Sequence, residues 1–330
     1  MRAPLHASFA RRFAPGRALL PFALLASVLL LPGCDENDAG FYSFVVVSDS
    51  HTGGGPHTGE KTYRKILAMV NECEPDFVVH CGDWIVGPSY DEAGLATADT
   101  FFAINGILDS SIAFYPVLGN HEGDSRDYSY ARSFFPVFGD SGWYSFDHGN
   151  SHFFVVENCS DAPDSELRGY RYCKPNGGIN TPGSRQRRWL ERDLASRKPG
   201  TTWTFGFGHR AYYGAEQYKG RMNVDIARAG PGAFCPFIED AGVDVFFNGD
   251  QHCYTRTAPI RGGRAWTETD SSTVYLTCGG AGGRIDRGGA KRISPSPTRT
   301  RCRRALSGRA RRPRTSSSIA PWRAHSSTPK

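Results

Sequence analysis

Short apolar runs alternate with stretches of helical spacing along most of the chain. Phe44–Ser48, Phe77–Cys81 and Ile112–Leu118 read as three buried strands, each running into a polar turn. Between the first two, Thr62–Cys73 repeats apolar residues at helical spacing through Tyr63, Ile66, Leu67 and Val70, and Pro75 follows its end. A helix is expected between Asp91 and Leu108. Trp143–Phe146 and His152–Glu157 predict a hairpin around His148-Gly149-Asn150-Ser151. Arg185–Ser196 predicts an amphipathic helix, with Trp189 and Leu190 apolar and Leu194 one turn on. Trp203–Phe207, Val243–Asn248 and Val274–Cys278 supply the remaining strands. This alternation predicts an α/β layered fold in which helices cover sheet and the chemistry collects in loops beyond the strand ends.

The polar residues obey that expectation. Five strands run into Ser48-Asp49-Ser50-His51, Gly82-Asp83, Gly119-Asn120-His121-Glu122, Gly208-His209 and Asn248-Gly249-Asp250-Gln251-His252. Any one of these is explained as a turn, since Asp, Asn and Gly are turn residues. Five in one chain, each carrying a metal-ligand type, are not. Hydrolysis of a phosphate ester needs neutralised phosphoryl oxygens and a strong nucleophile near neutral pH. Two cations on the order of 3.5–4 Å apart supply both, one carboxylate bridging them with a bound hydroxide opposite. A mixture of oxygen and imidazole donors suits Mn, Fe or Zn.

The order DxH, GD, GNHE, GH and GxxH resembles the calcineurin-like metallophosphoesterase superfamily. The stretches Pro116–Glu122, His209–Tyr213, Val243–Phe246 and Val274–Thr277 before a Gly-rich turn narrow the resemblance to its purple-acid-phosphatase-like branch. It spans about residues 42–283. The resemblance implies a four-layer α/β/β/α metallophosphoesterase sandwich, here lacking its last strands. Carried over position by position, it implies that Asp49, His51 and His252 hold one metal, that Asp83 bridges, and that Asn120, His209 and the residue at 250 hold the other. His121 would act at the leaving-group oxygen as acid or transition-state stabiliser, the alternative being a hydrogen bond to a neighbour.

Two departures qualify the resemblance. The Tyr that gives purple acid phosphatases their colour follows the bridging Asp by three residues; here that position is Val86, which predicts a colourless site. The last motif ordinarily carries two His, whereas here Asp250 stands at the first of them. A carboxylate there favours harder ions such as Mn, Fe or Mg over Zn; the competing readings are a weakened second site or a domain that has lost catalysis. His57 is a candidate for lining the cleft, and Arg126 and Arg210 are candidates for meeting a phosphate, against the plainer reading of loop and surface residues. His80, His148 and His152 lie in or beside strands without a motif, which favours structural roles.

Composition changes the picture at the two ends. The 330 residues carry a net charge of +6. Removing the +13 of residues 284–330 and the +4 of residues 1–33 leaves residues 34–283 at −11, which argues against a nucleic-acid-binding core. Residues 1–33 read as a lipoprotein-type signal. Arg2, Arg11, Arg12 and Arg17 precede an apolar run, Ala18–Leu31, that ends in Leu31-Pro32-Gly33-Cys34. A plain secretory signal is the alternative. The chain is therefore expected outside the cytoplasm, membrane-anchored by lipid at Cys34 or else secreted. Residues 34–40 are a linker, 41–283 the metallophosphoesterase domain, and 284–330 a basic tail of low complexity, either a basic arm or the product of a shifted reading frame. Export permits disulfides, with Cys159–Cys173 the first candidate pair and Cys235–Cys253 a second. The expected activity is hydrolysis of phosphate monoesters. The alternatives are a phosphodiesterase acting on nucleotides or lipid headgroups, and a non-catalytic surface module that binds metal or phosphate.

Overall fold

The computed structural model describes residues 27–31, 42–53, 59–86, 92–122, 129–159, 178–213, 232–266 and 272–285. Strand β1 (Ser27–Leu31) pairs antiparallel with β2 (Tyr42–Val47). Helix α1 (Glu60–Cys73) ends on Glu74, which adopts a left-handed conformation just before Pro75. Strand β3 (Phe77–His80), helix α2 (Glu92–Asn105) and strand β4 (Ala113–Pro116) complete a four-stranded sheet of order β1-β2-β3-β4, with β2, β3 and β4 parallel. Helix α3 (Ser129–Ser133) and a 3-10 turn (Pro136–Phe138) lead to the hairpin β5 (Tyr144–His148) and β6 (Ser151–Val155). Helix α4 (Arg185–Ala195) is capped by the Ser184 hydroxyl, which accepts the Arg187 N–H at 3.1 Å.

Strand β7 (Trp203–Phe207), helix α5 (Phe234–Asp240) and strand β8 (Val245–Asn248) follow. Strand β9 (Tyr254–Arg256) precedes a small hairpin, β10 (Ile260–Arg261) and β11 (Arg264–Ala265). Gly262 and Gly263 turn that hairpin, both with φ above zero as a two-residue turn requires. Strand β12 (Val274–Cys278) sits between β8 and β9, giving a six-stranded sheet of order β5-β6-β7-β8-β12-β9.

The two sheets pack face to face, and side-chain alternation shows how. On β2, Phe44 points inward and meets Phe153, Phe205, Phe207 and Phe247 of the second sheet at ring-centroid distances of 5.3–6.4 Å. On β3, Phe77 points inward against Phe153, while His80 points outward to Tyr63 of α1 and Phe101 of α2. The second sheet has the same period: Phe154, Phe246 and Tyr275 face outward into a separate core with Leu190 and Leu194 of α4 and Ile238 of α5. The layers are thus helix, sheet, sheet, helix, as the resemblance implied. Among the described residues no helix is long and apolar enough to cross a membrane.

The paired strands and the long helices lie where apolar spacing put them. Strand β1, helices α3 and α5, and strands β9 to β11 were not anticipated. The Cys235–Cys253 pair does not form: both are buried thiols outside any disulfide. Cys235 belongs to the outer core with α5, whereas Cys253 lies in the loop after β8 whose N–H bonds to Gln251. Cys159 is also a free, buried thiol, and Cys173 lies outside the described residues.

Candidate metal centre

All five polar strand ends meet at one edge of the two-sheet sandwich. Main-chain hydrogen bonds stitch them together: Asp49 N–H to Gly82 O at 3.0 Å, His51 N–H to Asp83 O at 3.1 Å, Gly249 N–H to His209 O at 2.9 Å, and Gly283 N–H to Asp49 O at 2.7 Å. The backbone is strained where the side chains matter. Asp49, His51, Asp83 and Asp250 all have φ between 45° and 65°; among the described non-glycine residues only Glu74, at the end of α1, shares that conformation. Each left-handed non-glycine residue costs on the order of 1–3 kcal/mol, so four together mark a functional site. Close approach adds a constraint at Gly119, where a Cβ would collide with the backbone nitrogen and Oδ1 of Asp83.

Among the described residues, three groups bring ligand atoms within 4.8 Å of one another: Asp49, His51 and His252; His51, Asp83 and His121; and Asp49, Asp83 and His209. His51 Nε2 lies 3.0 Å from His252 Nε2 and 3.8 Å from Asp49 Oδ1, and His252 Nε2 lies 3.5 Å from that same oxygen. Asp83 divides its carboxylate: Oδ2 is 3.7 Å from His51 Nε2, and Oδ1 is 3.3 Å from His209 Nε2. A carboxylate shared between two positions needs that division. Asn120 Oδ1 joins at 3.2 Å from His209 Nε2.

The residues suit cations. His209 Nδ1 lies 2.7 Å from Cys81 O, and His252 Nδ1 lies 2.8 Å from Arg284 O. A carbonyl only accepts, so each Nδ1 carries its proton and each Nε2 turns into the cluster. There Nε2 faces oxygens or another imidazole, a setting that calls for positive charge, a proton or a metal ion, at that nitrogen. Asp49 Oδ1 is buried without a hydrogen-bond partner, and such an atom is costly unless a cation takes it. The charges follow the same logic. Burial alone would raise the Asp83 pKa, but His209 and His121 outweigh it and hold the carboxylate well below its usual range. Asp49 is likewise lowered, burial being outweighed by His252 and His51. For His209 burial opposes protonation, yet Asp83 raises its pKa to about 10. The cage wants positive charge at that nitrogen.

His121 stands apart. Its side chain is 33% exposed, where those of Asp49 and His209 are sealed. Its N–H donates to Asp83 Oδ1 at 2.9 Å, and its ring lies edge-on to that of His51 with centroids 4.7 Å apart. It is therefore placed at the mouth. Asp250 also differs: its Oδ1 is 3.8 Å from His209 Nε2 but accepts Arg210 Nη1 at 2.8 Å, and it belongs to none of the three groups. His80 is buried beneath the sheet with its Nε2 2.9 Å from Ser50 Oγ, and burial lowers its pKa to about 3. Val86 occupies the position three beyond Asp83. His57 and Arg126 lie outside the described residues.

Sequence reading missed three supports. Glu122 accepts N–H groups of Gly119 at 2.7 Å, Asp83 at 2.8 Å and Ile85 at 3.2 Å, tying two ligand loops to one carboxyl. Burial first, then the Asp83 charge, pushes its pKa up to about 8. Asn158 Oδ1 accepts the N–H of both His209 and Arg210. Arg284, counted with the tail by composition, supplies the carbonyl that orients His252. Only Glu122 carried a signal, as the last residue of the GNHE string.

Known proteins share the fold that carries this cluster. A family model described as calcineurin-like phosphoesterase matches residues 42–254. Acid phosphatase A of Cryphonectria parasitica is 30% identical over 144 residues, covering 42% of this chain and 28% of that one. The Mycobacterium tuberculosis protein Rv2577 is 28% identical over 200 residues, covering 51% of this chain and 35% of that one. The chain thus spans about a third of the length of these curated relatives. A purple acid phosphatase from yellow lupin seeds superposes with a TM-score of 0.58 at 17% identity, over 78% of this chain and 49% of that one. A dimetal phosphatase from Danio rerio gives 0.50 at 16% identity, over 72% and 86% of the two chains. With the family model covering well over half of its residues, the chain belongs to the calcineurin-like phosphoesterase family.

Proposed function

We propose that the protein is an exported, two-metal phosphoesterase that hydrolyses phosphate monoesters. The observation that carries this reading is the divided carboxylate of Asp83, one oxygen toward His51 and the other toward His209. On this reading Asp49, His51 and His252 hold one cation, Asn120 and His209 hold a second, and Asp83 joins them. The ions would be Mn, Fe or Zn. They would supply charge neutralisation at the phosphoryl group and activate water as the nucleophile. The protein's own residues do the rest. The carbonyls of Cys81 and Arg284 keep His209 and His252 in the ligating tautomer, Glu122 fixes the loops, and His121, a third exposed at the mouth, gives a proton to the departing oxygen.

Preference for monoesters is supported by the likeness to Acid phosphatase A. It is tested by assaying metal-loaded protein with p-nitrophenyl phosphate and its bis-ester. Faster turnover of the monoester is the expected result. Faster turnover of the diester would make the protein a phosphodiesterase, and turnover of neither with Mn, Fe, Zn or Mg would leave a binding module. Export and lipid anchoring at Cys34 rest on the basic and apolar segments of residues 1–33. Processing there removes β1 and leaves β2 at the sheet edge, so intact mass of the native protein tests it directly.

A further inference from the structure

Asp250 is where the chain departs from its expected pattern, and the structure gives it two separate contacts. Its N–H donates to Asp49 Oδ2 at 3.0 Å, and its own φ is 65°. Its carboxylate accepts Arg210 Nη1 at 2.8 Å, and both side chains are about a tenth exposed, 10% for Arg210 and 12% for Asp250. The Arg210 main chain is pinned at both ends: its N–H donates to Asn158 Oδ1 and its carbonyl accepts Asn158 Nδ2, each at 2.9 Å. The guanidinium therefore springs from a fixed point next to His209.

At the His209 position Asp250 stands farthest out: His209 Nε2 lies 3.3 Å from Asp83 Oδ1 and 3.2 Å from Asn120 Oδ1, but 3.8 Å from Asp250 Oδ1. Separations of 3.5–3.8 Å also occur among the donors of the other position, so what sets Asp250 apart is the partner its Oδ1 already has. That oxygen already serves a permanently charged guanidinium, which opposes its serving a second cation. The guanidinium fork meets a carboxylate along one edge and a phosphoryl group along another.

Resting on the two-metal reading, we infer that Asp250 is not a metal ligand but the anchor of Arg210, and that Arg210 binds a phosphoryl oxygen of the substrate beside the His209 position. A carboxylate at this position thus removes one protein donor and installs a phosphate-binding arginine. Arg210 becomes a specificity-determining residue, and Asp250 a positioning residue that acts through it.

The test counts metal and measures phosphate binding on the full chain. Metal per chain is determined after Mn loading for the parent protein, Asp250→Ala, the double variant Asp250→Ala with Arg210→Gln, and His209→Ala. The double variant leaves no buried charge unpaired, which guards against misfolding. The parent and both Asp250 variants should hold equal metal, while His209→Ala loses one ion. Inorganic phosphate should inhibit Arg210→Gln at least about tenfold more weakly, a loss of about 1.4 kcal/mol. Its KM for p-nitrophenyl phosphate should rise with a smaller change in kcat, and Arg210→Lys should recover part of the loss. Loss of one ion from Asp250→Ala with the double variant folded would overturn the inference and make Asp250 a ligand. Unchanged phosphate affinity in Arg210→Gln would overturn the role of Arg210. Absence of metal from the parent protein would instead bring down the two-metal reading itself, and this inference with it.

Discussion

Two histidines, His209 at the strand ends and His152 on the outer side of the β5–β6 hairpin, each stand beside two aspartates, yet they do different work. His152 places Nδ1 2.8 Å from Asp147 and Nε2 3.0 Å from Asp193, so both ring nitrogens are spent on carboxylates at hydrogen-bond distance. Ser145 Oγ donates to Asp193, and Lys198 Nζ sits 3.0 Å from Asp147, which closes the network. His209 spends Nδ1 on a neutral carbonyl and leaves Nε2 facing oxygens of Asp83, Asn120 and Asp250 at 3.2–3.8 Å. The first is a finished ion pair that clamps the hairpin to α4. The second is an oxygen cage wide enough for a cation. Spacing, and the partner of the remote nitrogen, distinguish a structural imidazole from a candidate ligand; the mere presence of carboxylates does not.

Substitutions can break this comparison, starting from the residue shared by both cation positions. Asp83→Asn removes the charge that joins them and should lower kcat/KM by at least about a thousandfold, or about 4 kcal/mol of transition-state stabilisation, with the fold retained by circular dichroism. Retained activity would sink the bridging role. His121→Ala should lower kcat by about a hundredfold while metal content stays unchanged, since a proton donor at the mouth is worth that much; loss of metal would move His121 into the ligand set. Glu122→Ala strips the acceptor from three buried N–H groups and should destabilise the protein by about 3 kcal/mol in urea unfolding, more than a surface carboxylate could.

His152→Gln should be the mildest change, about 1–2 kcal/mol, with activity near that of the parent. Its sign with pH is specific. Burial lowers the His152 pKa, but hydrogen bonds and charge from Asp193 and Asp147 outweigh it and raise the value above the usual one. The stabilisation is therefore complete below about pH 6.5 and fades as pH rises through the raised folded value. Asp147 is shifted the opposite way, its pKa lowered by His152 and Lys198 against the effect of burial, so its share fades as pH falls below about 3.9. Denaturant unfolding of parent and variant across pH 5–9 should show the gap shrinking toward alkaline pH; a constant gap would show that His152 contributes packing alone.

The meeting of the polar strand ends was readable because its signals are local. Each candidate ligand follows an apolar run within a few residues, and the residue types are those that cations choose. The strands of the two-sheet core were readable for the same reason, since Phe44, Phe77, Phe153, Phe205 and Phe247 each lie in a short apolar run. What escaped depends on contacts distant in sequence. The Arg210–Asp250 pair joins positions 40 residues apart, Asn158 reaches His209 across 51, and Arg284 reaches His252 across 32. The left-handed backbone at Asp49, His51 and Asp83 has only a weak marker in residue type, since Asp and His tolerate it better than most side chains, and the neighbouring loops impose it. Helix α5 is only seven residues long, too short for a convincing period.

The central claim is that the strand-end cluster holds two catalytic cations joined by Asp83. Metal analysis of the purified protein alongside Asp83→Asn, read together with p-nitrophenyl phosphate turnover before and after chelation, tests it most directly. The account predicts two ions per parent chain, turnover abolished by chelator and restored by added metal, and neither full metal content nor turnover in Asp83→Asn. Parent protein that binds no metal, or that turns substrate over undiminished after chelation, would contradict it.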